Sequence, residues 1–229
     1  MKYLLVFSFL LTGLTAQSQL IYDESYLDAS FWRFKSNLTS SLIARDTAQL
    51  KTILADHVFD SEHGCDYPGC SPSQLVKTYF AKPESRGWQE MIDILRFGMK
   101  RLTSPRRLEG EEAWEAAFQG PSYLSTINTE TEALILGENV NIRNKPGLKS
   151  QVIRQASYEK FDCDCSIETQ TATTYQNIDG LTWLEITWGK GQVGYVASKL
   201  TSYDRMRELT IAKIEGQWKI VSFFLPSGC

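Results

Sequence analysis

The chain has 229 residues, 42% of them hydrophobic, and 24 Lys and Arg against 27 Asp and Glu give it a formal charge of −3. Length and apolar content suit one large or two small globular domains and exclude a disordered or fibrous chain. The mild acidity is mixed along the sequence and removes the electrostatic case for nucleic acid. The one basic cluster, four charges within 100–107, fits a helix end.

Residues 1–18 read as a secretory signal peptide. Lys2 supplies the positive start, residues 4–14 the apolar run, and Ala16-Gln17-Ser18 a small-x-small cleavage site. The run falls short of the ~20 apolar residues that span a bilayer. The expectation is export to the periplasm or beyond, with no membrane span after cleavage. There the five cysteines meet an oxidising compartment, and their odd number leaves at least one thiol free or paired between chains.

Residues 25–56 carry Phe31, Phe34, Leu38 and Leu42, then Leu50, Ile53 and Leu54, at helical spacing. Two helices are expected, the second capped by Asp46 with Gln49 three residues on. The segment from His57 to Cys70 reads as a loop, rich in Asp, Glu, Gly and Pro. Ser71-Pro72-Ser73-Gln74 is a helix start, with Ser71 as cap and Pro72 where no N–H is needed. A further helix is expected over 85–102, its core stripe running through Trp88, Ile92, Leu95, Met99 and Leu102. A short helix over 111–118 would end at Gly120-Pro121.

From 131 onward the pattern changes to short strands: 133–136, 140–143, 152–163, 175–178 and 181–188, the last two joined by an Asp179-Gly180 hairpin turn. Residues 207–224 form another hairpin about Glu215-Gly216. A lone hairpin is marginal in water. The hairpin over 204–229 is therefore expected to pack on the helical region 20–128, with the 131–202 region inserted between them. The fold class is α+β, with a mainly helical N-terminal domain completed by this hairpin.

Three motifs in the inserted region carry a resemblance. They are Asn141-Ile142-Arg143 followed by Pro146-Gly147, Trp183-Leu184-Glu185-Ile186, and Gly194-Tyr195-Val196. Together they resemble the bacterial SH3 (SH3b) domain, a small β-barrel that binds and rarely catalyses. The resemblance implies recognition of cell-wall peptide or peptidoglycan, or of an envelope protein. Its contact candidates are Trp188, Trp183, Tyr195, Tyr175, Arg143 and Asn141, with Trp188 beside Gly189 suited to stacking. Residues 162–174 look inserted relative to a minimal SH3b domain. The two starting helices, with Lys213-Ile214-Glu215-Gly216-Gln217-Trp218-Lys219-Ile220-Val221-Ser222-Phe223 at the end, resemble the NTF2-like α+β proteins.

The only dense cluster of reactive side chains is His57, Asp60, Glu62, His63, Cys65, Asp66 and Cys70. Its spacing fits no standard zinc arrangement, and no metal or other cofactor is expected. A disulfide between Cys65 and Cys70 is expected across the Asp66-Tyr67-Pro68-Gly69 turn. Cys163 and Cys165 are expected not to bond each other, with Cys229 as a partner for one of them. No G-x-S-x-G, HExxH or Walker pattern occurs. The alternative to a binding protein is an envelope hydrolase built on the His57–Cys70 segment, with the barrel as its targeting arm.

Overall fold

The computed structural model describes residues 20–60, 65–103, 114–165, 175–204 and 207–224, with the backbone alone at 65–68 and 175. The expected signal peptide and Cys229 lie outside them. The described residues form an α+β structure of four helices and two sheets.

Helix α1 (Ala29–Ala44) starts at Asp28, whose side chain accepts hydrogen bonds from the Ser30 and Phe31 amides. Helix α2 (Thr47–Ile53) is capped by Asp46, which accepts from the Gln49 amide. Helix α3 (Pro72–Tyr79) opens with a complete capping box between Ser71 and Gln74. Helix α4 (Arg86–Arg96) is shorter than its apolar stripe predicts. It ends at Gly98, which has φ +82° and whose notional Cβ would lie 2.0 Å from the Tyr22 carbonyl oxygen. No other residue fits that position, so the helix stops before Met99 and Leu102.

The first sheet has six strands in the order β2-β1-β13-β12-β4-β3. These are β1 (Leu54–Asp60), β2 (Cys65–Cys70), β3 (Lys100–Arg101), β4 (Ala116–Gly120), β12 (Glu208–Ile214) and β13 (Gln217–Phe224). Strands β12 and β13 form the expected hairpin, turned by Glu215 and Gly216, both at positive φ. It lies at the centre of the sheet, with β13 parallel to β1 and β12 antiparallel to β4.

Two expectations are corrected here. The 20–128 region carries all four helices but, beyond the expectation, also supplies four strands. The His57–Cys70 segment is not a loop, because β1 and β2 pair antiparallel with a bulge between the Val58–Cys70 and Asp60–Cys65 partners. The stretch read as a helix over 111–118 enters β4 instead, at Ala116. Its alanines sit where the strand is covered on both faces, with Ala117 fully buried.

All four helices cover one face of this sheet. Phe31 and Phe118 stack at 3.8 Å between centroids, and Trp218 meets both edge-on at 4.9 and 5.8 Å. The Trp218 indole donates to Ser30 Oγ at 2.9 Å, tying the last strand to the first turn of α1. Phe80, Trp88 and Phe223 extend the same core. The opposite face carries the small residues Ala117, Ala212 and Val221.

The chain leaves β4 through Ser122–Ser125, a 3-10 turn, and enters a seven-stranded second sheet. Its strands are β5 (Glu132–Leu134), β6 (Val140–Arg143), β7 (Val152–Ala156), β8 (Lys160–Asp162), β9 (Tyr175–Ile178), β10 (Leu181–Trp188) and β11 (Gln192–Ala197). The order is β5-β8-β10-β11-β6-β7, with β9 also on β10. Among the described residues β5 and β7 do not pair, so the sheet is not closed. The expected 152–163 strand is two strands, split where Tyr158 takes φ 49°. Asp179 and Gly180, both at positive φ, make the primed turn that suits a two-residue hairpin. The interior is built from Ile142, Phe161, Leu184, Ile186 and Val196.

Cys163 and Cys165 are bonded to each other, against expectation. The chain has left β8 by then and is not extended, so their Cα atoms are 5.3 Å apart, within disulfide reach. Their amides are held by the Thr131 and Glu130 carbonyls. Two more 3-10 turns, Ser198–Leu200 and Ser202–Asp204, return the chain to β12. Phe97 and Tyr123 from the first part pack with Leu134 and Leu136 from the second in a small shared core.

Candidate binding face on the second sheet

Leu184 and Ile186 alternate inward along β10, and Trp188 continues that side at the rim of the interior. Opposite Ile186 stands Gly194. A Cβ there would lie 2.5 Å from Ile142 Cγ2 and 3.0 Å from Trp188 Cη2. The glycine of the Gly-Tyr-Val motif is thus the floor on which the half-buried indole lies. Phe161 meets Trp188 edge-on at 5.8 Å and 89°. The Arg154 guanidinium sits 5.4 Å from the indole and 5.0 Å from the Phe161 ring, held by an ion pair to Glu159. Among the described residues no acceptor takes the Trp188 Nε1 hydrogen. Ile153 and Val193, 44% and 45% exposed, and Gln192 complete a shallow groove around the ring.

The six contact candidates do not converge. Trp183 is buried at 2% exposure and donates its Nε1 hydrogen to the Ile178 carbonyl, so it packs and presents no surface. Arg143 and Tyr195 are register partners on the face away from Ile142 and Trp188. Tyr195 donates to Glu185 Oε2 at 2.6 Å, and that bond, with burial, pushes its phenol up to about 12. Arg143 donates to the Ser150 carbonyl. Asn141 accepts from Gln155 Nε2 at 3.0 Å on the exposed face. The side chain of Tyr175 lies outside the described residues. The sequence reading missed Arg154, Ile153 and Val193. Arg154 carried a signal: it opposes the inward Ile142, where a charge needs a reason.

Of the reactive cluster, His57 is exposed on β1, and His63, Glu62 and the side chains of Cys65 and Asp66 lie outside the described residues. Cys70 is disulfide-bonded and 5% exposed. Asp60 is fully buried and accepts from Tyr79 Oη at 2.7 Å. Burial, together with that bond to Asp60, holds the Tyr79 phenol well above its ordinary range, with Arg207 acting against both. Arg207 Nη1 donates to Tyr79 Oη at 3.3 Å, and its Nε stands 2.9 Å from Glu90 Oε2. Glu90 also pairs with Arg86 at 2.6 Å. The guanidinium of Arg207 lies between the Tyr79 and Phe223 rings, at 4.8 and 5.0 Å. This is a structural relay that joins β1, α3, α4 and the start of β12.

Among the described residues no group of three or more His, Cys, Asp or Glu is placed to hold a metal. Nor, among those residues, is any helix long and apolar enough to cross a membrane. Comparison of the chain with family models, curated proteins and solved structures gives no match.

Proposed function

We propose that the chain is an exported, non-catalytic binding protein whose second sheet is an SH3b-like module recognising peptidoglycan or its peptide. The groove beside Trp188 is the contact face. The observation that carries the reading is the mounting of Trp188. A glycine floor, an edge-on Phe161 and a stacked Arg154 hold a half-exposed indole in place before any ligand arrives. Rigid aromatic platforms of this kind give contact area at low entropic cost, and an adjoining cation adds affinity for a carboxylate. The SH3b motifs support the same reading. Apart from Pro146 and Gly147, their residues fall on the adjacent strands β6, β11 and β10. An envelope protein partner would use the same groove. The alternative, a hydrolase on the His57–Cys70 segment, has less support, since Cys70 is held in a disulfide and offers no thiolate.

The test is sedimentation with purified peptidoglycan, comparing the full chain with Trp188→Ala and Arg154→Ala. Wild type should pellet. Trp188→Ala should bind at least about tenfold more weakly, as a central aromatic anchor does. Wild-type protein that stays in the supernatant would refute the reading, as would a Trp188→Ala variant that pellets equally well.

A further inference from the structure

The face of the six-stranded sheet away from the helices carries a polar row beside its small residues. Strand register sets it: Lys100 pairs with Gln119, Gln119 with Thr210, Thr210 with Ser222, and Ser222 with Phe59. Two residues before Thr210 on β12 stands Glu208, opposite Phe224. Alternation turns Glu208, Thr210 and Ala212 to the same side. The half-buried Phe59 and Phe224 rings close the end of the row and meet edge-on at 5.1 Å.

The oxygens of this row lack the partners that burial calls for. Burial raises the Glu208 carboxyl above its ordinary value, and the Gln119 amide, which donates to it, acts the other way. Among the described residues no charge is set against it. Lys100 stands beyond Gln119 and makes no ion pair with Glu208. Lys219, across from Ala212, donates to the Thr52 carbonyl. Thr210 and Ser222 are 6% and 8% exposed, and among the described residues neither hydroxyl has a hydrogen-bond partner. Neither oxygen is sealed from solvent.

A primary ammonium group matches this set. It carries one positive charge and three N–H donors, with no acceptor. Residues directly opposite on paired strands have Cβ atoms about 5 Å apart, and residues two apart on one strand are about 7 Å apart. The long Glu208 side chain spans the second gap, so carboxylate and hydroxyls converge on one nitrogen. The two rings add attraction for a cation held over a face. A divalent metal ion fits less well, because its sites gather several carboxylates or carbonyls and this row has one carboxylate.

We infer that this row binds a small primary ammonium ligand with an apolar body. Glu208 takes the charge, the Thr210 and Ser222 hydroxyls accept the remaining N–H groups, and the body lies against Phe59 and Phe224. Gln119 holds the carboxylate in place. The site is on the other sheet from Trp188 and does not rest on the reading of that groove.

The experiment is calorimetry of the full chain with three probes. They are phenethylamine, phenethyl alcohol, which lacks the charge, and trimethylated phenethylamine, which lacks the donors. It is repeated on Glu208→Gln, on Thr210→Val with Ser222→Ala, and on Trp188→Ala, each checked for folding by circular dichroism. The amine should bind wild type at least about tenfold more tightly than either analogue, the loss expected for one charge-assisted contact. Glu208→Gln should erase the preference over the alcohol, and the double variant only the preference over the trimethylated compound. Trp188→Ala should bind the amine as wild type does. The inference is overturned by absence of saturable binding at millimolar amine, by analogues that bind as well as the amine, or by a Glu208→Gln variant that keeps its preference. Calcium chloride that binds wild type more tightly than the amine would also overturn it, in favour of a metal site.

Discussion

Replacing Trp218 by alanine should unfold the six-stranded sheet preferentially. Trp218 is 7% exposed and lies edge-on against both members of the Phe31–Phe118 stack. Truncating a buried aromatic to alanine costs about 3–5 kcal/mol. The lost indole bond to Ser30 Oγ contributes about 1 kcal/mol of this. Ser30 Oγ still donates to Asp28 Oδ1 at 2.6 Å, so no stranded hydroxyl adds to the bill. Against a typical domain stability of about 5–15 kcal/mol, the loss is a large fraction. With a urea slope of about 2 kcal/mol per molar, the midpoint should fall by about 2 M. Trp218→Phe, which keeps most of the ring, should cost about 1 kcal/mol beyond its smaller volume. Urea melts followed by circular dichroism give the magnitude, and hydrogen exchange gives the place. Protection should drop across 31–102 and 208–224 and persist across 133–197. The reasoning fails if Trp218→Ala costs under about 1 kcal/mol. It fails equally if exchange protection is lost in 133–197 while 31–102 is spared.

Gly194→Ala should cost about 1–3 kcal/mol by overpacking against Ile142 and should change the fluorescence of Trp188; an unshifted spectrum and melt would contradict the close approach. The phenol of Tyr195 should ionise late in an ultraviolet titration, near 12. Since the folded value lies above the unfolded one, this tyrosine's contribution is intact below pH ~10 and is lost as pH rises toward 12, and Tyr195→Phe should abolish that part of the alkaline slope. Asp23 is partly buried, which raises its carboxyl, but Lys35 and Ser25 outweigh this and hold it below its ordinary value. Its contribution is therefore present above the unfolded value and is lost as pH falls through the folded one, so Asp23→Asn should flatten the acid limb of a stability–pH curve. Replacing Cys163 and Cys165 by serine together should cost at most about 1–2 kcal/mol, because a three-residue loop removes little chain entropy; non-reducing peptide mapping that finds both thiols alkylated would refute the pairing.

Legibility of the sequence followed the range of the forces involved. The caps at Asp46 and Ser71 and the primed turns at Asp179-Gly180 and Glu215-Gly216 are local, and each was readable from a few residues. The strands β1 and β4 were not. Leu54, Val58 and Asp60 point inward from β1, but Asp56 and His57 lie between them exposed, which blurs the alternation. The alanines of β4 favour a helix in isolation and serve as strand because neighbours cover both faces. The Cys163–Cys165 bond depended on a chain bend that no period announces. On the candidate face the motif residues were readable, but their division between the two sides of the sheet was not. Sequence alternation does not say which side a bulged or edge strand turns to the core.

The position of β12 and β13 has a consequence during synthesis. Strands β1 and β4 leave the ribosome long before the two strands that fill the gap between them. Residues 132–197 emerge in the interval, and among the described residues their strand pairings are internal to that stretch apart from the Ile135–Thr201 bridge. The second sheet can therefore complete itself while the first waits with two open edges and an uncovered helical layer. A waiting period of that kind leaves the earlier part of the chain without its central hairpin until the last residues are made. It also makes a stall between residues 200 and 224 the point at which the nascent chain is most exposed to chaperones and proteases.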